Sequence, residues 1–404
     1  LLYDEVILTQ ITKSTSLSHK LNTFFGLHPQ IIGLVFFARL IIDVGTRMVF
    51  PFIPQIASGL DLTIVAFSWL IFIRGIAGIA SPILGVWSDR YGRRRLMVGG
   101  LLAQSLGIIG VAFTQQWWAV LPMVFFGLAL AAFIPAQQAY ISDQVSYDKR
   151  GRALAAVEFS WAGAAIFFLP GIGWLIDTFG WRSPFFIVSL LSLMGTVFIW
   201  RYLPPAKHHT PVRLSWPEMG RLFLRPNVLA STTVALLLFV AATCFVSVWG
   251  IWLTTDFGLK AVTLGLVATA IGVAELTASG LSSLFIDRMG KRRGSGLGLL
   301  LSALTLLLLP LTQSYLPLAI VTLVVIGLFM EFTIVSLIPL YSEQAPEARG
   351  TVFSLILFGI AIGASAGTPI TAILWETYGL WGVCIVAAIC LFVAFGLMWK
   401  MMRE

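Results

Sequence analysis

The sequence predicts an all-α membrane protein of twelve transmembrane helices, arranged as two parallel six-helix repeats. Three observations carry this: a composition starved of charge, a train of apolar runs each long enough to cross a bilayer, and a motif that returns 198 residues later. Of 404 residues, 58% are apolar and 11% charged, against about a quarter charged in soluble domains. So little charge cannot coat a water-facing surface of this size, so lipid is the solvent for most of the chain. In lipid the backbone must satisfy its own hydrogen bonds, which leaves helices or closed barrels. The apolar runs are about 20 residues long rather than alternating strands of about 10, and that selects helices.

Charged or Gly/Pro-containing breaks divide the runs into predicted spans at 30–53, 63–87, 95–113, 117–140, 153–176 and 184–203, then 228–253, 261–286, 295–313, 315–340, 350–374 and 379–400. The organisation expected from these is a cytoplasmic leader at 1–29, a first half at 30–203, a cytoplasmic linker at 204–227 and a second half at 228–404. The linker is the most polar stretch and holds Lys207, His208, His209, Arg213, Arg221 and Arg225. Two adjacent histidines without further ligands read as solvated, so no metal site is expected. Cys244, Cys384 and Cys390 all fall inside apolar runs and read as reduced, buried thiols.

The net charge of +8 is distributed as topology information, not as a phosphate-binding face, which argues against nucleic acid. The leader, the breaks after spans 2, 4, 6, 8 and 10 and the tail together hold 21 of the 26 Lys and Arg residues. The opposite side holds only Arg182 and Lys260. By the positive-inside rule both termini face the cytoplasm, and the expected location is the plasma (inner) membrane.

The repeat is explicit in the residues. Asp89-Arg90-Tyr91-Gly92-Arg93-Arg94-Arg95 returns as Asp287-Arg288-Met289-Gly290-Lys291-Arg292-Arg293. Asp143-Gln144 and Arg150-Gly151 return as Glu343-Gln344 and Arg349-Gly350, and Pro170, Asp177, Thr178 and Gly180 return as Pro369, Glu376, Thr377 and Gly379. Two halves of equal topology usually bracket a binding site near the bilayer midplane, and rock about it.

The run Gly85-Val86-Trp87-Ser88-Asp89-Arg90-Tyr91-Gly92-Arg93-Arg94-Arg95 resembles the signature loop between helices 2 and 3 of the major facilitator superfamily, with a degenerate copy between helices 8 and 9. The resemblance covers about residues 30–400 and implies a secondary transporter. By it, Gly85, Asp89, Arg90, Gly92 and Arg93, with Asp287 and Arg288, form a conformational latch, and Arg150 or Arg152 partners Asp89. Pro51-Phe52-Ile53-Pro54 and Pro170-Gly171-Ile172-Gly173 are similar to patterns of the twelve-helix drug–proton antiporter branch. Met123 stands where that branch has Arg, and Leu169-Pro170 where it has Gly-Pro.

Charges inside the membrane cost upward of about 2.5 kcal/mol each and mark pathways. Arg39, Asp43 and Arg47 form an i, i+4, i+8 stripe on span 1, which reads either as substrate-binding charge or as a self-neutralising brace. Arg74, Glu275 and Glu331 lie near the middle of spans 2, 8 and 10, while Glu158 lies nearer the cytoplasmic end of span 5. Glu331 and Glu275 have no oppositely charged neighbour on their own helices, so Glu331 is the first proton-coupling candidate, Glu275 the second and Asp43 a third. In the family, helices 1, 4, 7 and 10 line the cavity, which adds Arg39, Gln137, Trp249 and Trp252 to Arg47 and Arg74 as substrate contacts.

The expected function is secondary active transport by alternating access: proton-coupled export of a small amphipathic or hydrophobic compound by a monomer in the lipid bilayer. The competing expectations are uptake of an anionic solute through the midplane arginines, and a transporter-like protein handling lipid or pigment or assisting a membrane complex. No nucleotide-binding loop, metal-binding helix or nucleophile elbow occurs in the sequence. Neither an enzyme nor a cofactor is expected.

Overall fold

The computed structural model describes residues 24, 26–205, 223–344 and 349–402. Most of the expected leader and most of the linker lie outside the described residues, among which the secondary structure is helical with no strand. The spans are α1 (Pro29–Arg47), α2 (Ile64–Ala77 continuing through a tight turn into Ser81–Tyr91), α3 (Arg93–Phe113) and α4 (Val120–Gln144). They continue as α5 (Tyr147–Gly163 with Leu169–Phe179), α6 (Ser183–Tyr202), α7 (Pro226–Phe257), α8 (Ala261–Met289), α9 (Lys291–Leu308) and α10 (Leu316–Glu343).

The final helical segment, Arg349–Met401, is two spans. Straight, it would run about 80 Å at about 1.5 Å per residue, far beyond the hydrocarbon thickness of about 30 Å. It breaks at Gly379 (φ 63°, ψ −156°), giving α11 (349–378) and α12 (380–401). Its two ends return to one face: Gly359 lies against Thr232 near the start of α7, and the Trp399 carbonyl accepts from Arg292 near the start of α9. Twelve spans result, as the hydropathy predicts.

Two local features depart from the hydropathy reading. The predicted first span, 30–53, ends as a helix at Arg47, and a separate short helix, Ile53–Gly59, follows and bends by 102° into α2. Pro51 and Pro54 explain the split, since proline cannot donate to the preceding turn and its ring crowds it, yet it suits a first helical turn. Within α5, Ala164–Phe168 widens into a π-turn immediately before Pro170. Pro170 leaves the Ile166 carbonyl without its usual donor, and Thr269 Oγ1 on α8 stands 3.4 Å from it.

The basic loops repeat in three dimensions. Gly92 and Gly290 turn the chain with φ of 97° and 83°, in the left-handed region that favours glycine. Arg93 Nε donates to Asp143 at 3.2 Å, and Lys291 pairs with Glu343. Arg94 donates to the Leu203 carbonyl at 3.0 Å and lies over the Trp200 ring, as Arg292 donates to the Trp399 carbonyl and lies over that ring. Each half thus ties its third helix to its fourth and sixth by equivalent residues.

The two halves meet along α5 with α8 and α2 with α11. From the face opposite the basic loops to the midplane, Gly250 abuts Pro51, Gly173 abuts Ala261, Gly272 abuts Ala165 and Gly75 abuts Ser365. Beyond the midplane the packing loosens: the Glu158 side chain, well inside α5, is 44% exposed.

Candidate functional site

Between the halves at the midplane lies a cavity of about 300 Å³. Its walls are mostly apolar and aromatic: Phe50, Ile71 and Trp161 from the first half, Phe239, Phe245 and Met330 from the second. Three ionisable side chains reach it, Arg74 from α2, Glu275 from α8 and Glu331 from α10.

The three charges differ in their partners. Glu275 faces Arg47 across the seam in a bidentate ion pair, with Nη1–Oε2 at 2.7 Å and Nη2–Oε1 at 3.1 Å. Arg47 also stacks over Trp161 at 4.6 Å and donates to its carbonyl at 3.3 Å. Glu331 accepts from Ser279 Oγ at 3.1 Å and has no ion pair among the described residues. Ser279 is one helical turn beyond Glu275, so both carboxylates address one face of α8. Arg74 is buried with its guanidinium over Phe126 at 4.8 Å and Phe50 at 5.6 Å, and its Nη1 has no hydrogen-bond partner. Gly127 makes room for this helix, since a Cβ there would stand 2.0 Å from the Arg74 carbonyl oxygen.

A second cluster lies beside the cavity, wholly within the first half. Arg39 Nε bonds both oxygens of Asp43 at 2.9 and 3.1 Å, and its Nη atoms reach Glu158 at 3.2 and 3.1 Å and Gln137 at 3.1 Å. Ser160 Oγ donates to Asp43 at 2.6 Å, and Gln138 to Glu158 at 3.4 Å. One arginine is shared by two carboxylates, so α1, α4 and α5 are braced together.

These placements correct several expectations. The Arg39–Asp43–Arg47 stripe does not neutralise itself, because Asp43 pairs with Arg39 alone while Arg47 turns to Glu275. Glu275 is consequently not an unpaired acid; its partner comes from the other half, which one helix's sequence cannot reveal. Arg39, Asp43 and Gln137 belong to the α1–α4–α5 brace and do not line the cavity. Trp252 is fully buried, packed edge-on against Phe257 at 5.5 Å, and Trp249 borders a small adjoining pocket with Arg47 and Glu275. Helices α2, α5, α8 and α11 supply much of the wall, in addition to the four the resemblance implies.

Sequence reasoning missed Trp161 and the phenylalanines. Trp161 carried a usable signal, lying three residues after Glu158 on the same face of α5. Of the latch candidates, Arg93 meets Asp143 and Ser88, Arg150 donates to the Ser142 carbonyl at 2.7 Å, Arg90 lies over Tyr91 and Arg152 over Phe24. Arg288 is exposed. The side chains of Asp89 and Asp287, and the packing of Gly85, lie outside what is described.

A duplicated twelve-helix bundle with a midplane cavity matches one known family by sequence as well. The profile of the Major Facilitator Superfamily matches residues 35–255 and 232–404. The chain belongs to the Major Facilitator Superfamily. As such it is a multi-pass membrane transporter of small molecules, not an enzyme. It is 26% identical to the multidrug resistance protein MdtG of Yersinia enterocolitica, over 88% of this chain and 89% of that one. It is 25% identical to a multi-drug resistance efflux pump PmrA homolog of Lactococcus lactis, over 80% and 74%. Among solved structures, the fold is similar to a D-xylose–proton symporter (TM-score 0.78, 15% identity, covering 93% of this chain and 98% of that one). It is also similar to an inward-facing, unoccupied bacterial homolog of the human lysosomal transporter Spinster (TM-score 0.75, 14% identity, 93% and 98%).

Proposed function

We propose that this transporter exports a small amphipathic or hydrophobic compound by alternating access, driven by protons. Glu331 carries the proposal: a carboxyl on the wall of an aromatic cavity between the halves, bonded to a hydroxyl and free of any ion pair among the described residues. A bound proton makes the Glu331 side chain neutral; its loss leaves a carboxylate that a cationic or polarised cargo can compensate. Proton and cargo then exclude one another, as antiport requires. The Lactococcus lactis relative, by name an efflux pump homolog, supports the same direction. With the basic loops in the cytoplasm and the protein in the inner membrane, the side from which Glu158 is exposed is the loading side. Proteoliposomes loaded with an amphipathic dye test this: an imposed inward proton gradient should drive dye out, and flux that ignores the gradient overturns proton coupling.

Arg74 supports a second reading, in which the cargo is an anionic solute taken up with a proton. A buried guanidinium with no counter-ion among the described residues offers a docking charge at the cavity wall. An anion seated there would favour the protonated form of Glu331 across the cavity, so proton and cargo would reinforce each other. The two readings differ in sign: affinity for a cationic cargo rises with pH, and affinity for an anionic one falls.

A further inference from the structure

Helix α8 begins without a cap of its own. Its N-cap residue is Lys260, whose side chain makes no capping hydrogen bond, and lysine offers no acceptor for the orphan N–H groups of a first turn. The repeat-equivalent helix α2 is self-sufficient, since Thr63 Oγ1 accepts from Ala66 N at 3.1 Å. The missing acceptor comes from the other half of the molecule. Asp177, near the end of α5, accepts from Ala261 N through Oδ1 at 3.1 Å and from Val262 N through Oδ2 at 2.8 Å.

The approach that makes this possible is close. A Cβ on Gly173 would stand 2.2 Å from the Ala261 carbonyl oxygen, and one on Gly265 would stand 2.5 Å from that of Leu169. The repeat partner of Asp177 is Glu376, exposed and without a hydrogen bond or ion pair among the described residues. The cap is therefore one-sided: it exists in the first half's grip on the second and has no counterpart at α11 and α2.

We infer that Asp177 is a gating residue, a carboxylate latch that holds the face opposite the basic loops closed by capping a helix of the opposing half. Rocking the halves apart on that face must break both bonds and leave the first turn of α8 uncapped. The latch favours the conformation seen here, open toward the basic loops, over the opposite one. An N-terminal carboxylate also meets the positive end of the helix dipole, which adds to the hold.

A capping residue that merely stabilises α8 and one that latches the halves make different predictions, and a second substitution separates them. Spin labels at Phe113→Cys and Tyr315→Cys, exposed positions on the latched face of the two halves, report the width of that face in a background lacking Cys244, Cys384 and Cys390. Loss of one cap of this kind shifts an equilibrium roughly fivefold. Asp177→Ala should raise the wide, face-open population by about that factor, and Asp177→Asn, which keeps one acceptor, by less. Lys260→Ser then restores an intrinsic cap to α8 without linking it to α5. A gating role predicts that Asp177→Ala with Lys260→Ser recovers thermal stability while the wide population persists. An unchanged population in Asp177→Ala, or its full return to the parent value in the double variant, overturns the inference. Because the readout is a distance and not flux, it is independent of which cargo or coupling ion the transporter uses.

Discussion

The Arg47–Glu275 pair is where the two halves are joined by charge, and its energy can be worked from its surroundings. The side chains are 10% and 11% exposed and bonded at both nitrogens. Removing one member of a buried pair strands the other and costs about 3–5 kcal/mol; replacing both with apolar groups of similar volume is often close to neutral. Arg47 retains the Trp161 ring and carbonyl when Glu275 is lost, which puts Glu275→Leu near the lower bound, whereas Arg47→Met strands Glu275. Glu275→Leu should cost about 3 kcal/mol and Arg47→Met about 4, and the double variant, which also loses the Trp161 contacts, about 2, a coupling of about 5 kcal/mol that is within the range for close charge pairs. Denaturant titration in detergent of all four proteins measures it. Costs that add to within about 0.5 kcal/mol would show the two residues to be independent and refute the bridge.

Arg74→Met should leave stability within about 1 kcal/mol of the parent, because the lost cation–π contacts are offset by removal of a desolvated charge; a thermal-shift assay that shows a severe loss would mean Arg74 has a hidden partner. Gly127→Ala should cost about 1–3 kcal/mol, since the new methyl meets the Arg74 backbone, whereas Gly280→Ala, with open space around it, should be neutral or gain up to about 1 kcal/mol. In the loops, Arg93→Gln should destabilise by about 2 kcal/mol and Lys291→Gln by about 1. The first pair is 13% and 15% exposed and the second 30% and 29%. Equal costs for the two would argue against burial as the reason.

The span pattern, the duplication and the turn glycines were legible because each is a local property. Long apolar runs must be helices in lipid, and Gly92 and Gly290 sit where the repeat places them. The proline-driven break after Arg47 was visible in Pro51 and Pro54, yet hydropathy alone ran across it. The ionisable residues of the site were legible as a set, since charges in apolar runs stand out. Their pairing was not. Arg47 and Glu275 are 228 residues apart, and helix periodicity says which face a side chain shares, not which helix of the other half it meets. The i, i+4 spacing pointed to Asp43 as common partner of two arginines, but an arginine's reach lets it leave its own helix when a carboxylate approaches from another. Trp249 and Trp252 look like Trp161 in composition terms, yet both are buried while Trp161 lies on the cavity wall, a difference set by tertiary packing and not by spacing.

The central claim is that Glu331 holds the coupling proton at the cavity between the halves. The most direct measurement is counterflow and pH-driven flux of one amphipathic dye in proteoliposomes, comparing the parent with Glu331→Gln, which fixes a neutral side chain able to keep the Ser279 hydrogen bond. The Glu331→Gln protein should still exchange dye across the membrane but no longer accumulate it when a proton gradient is applied. A Glu331→Gln protein that concentrates dye against its gradient as well as the parent would contradict it.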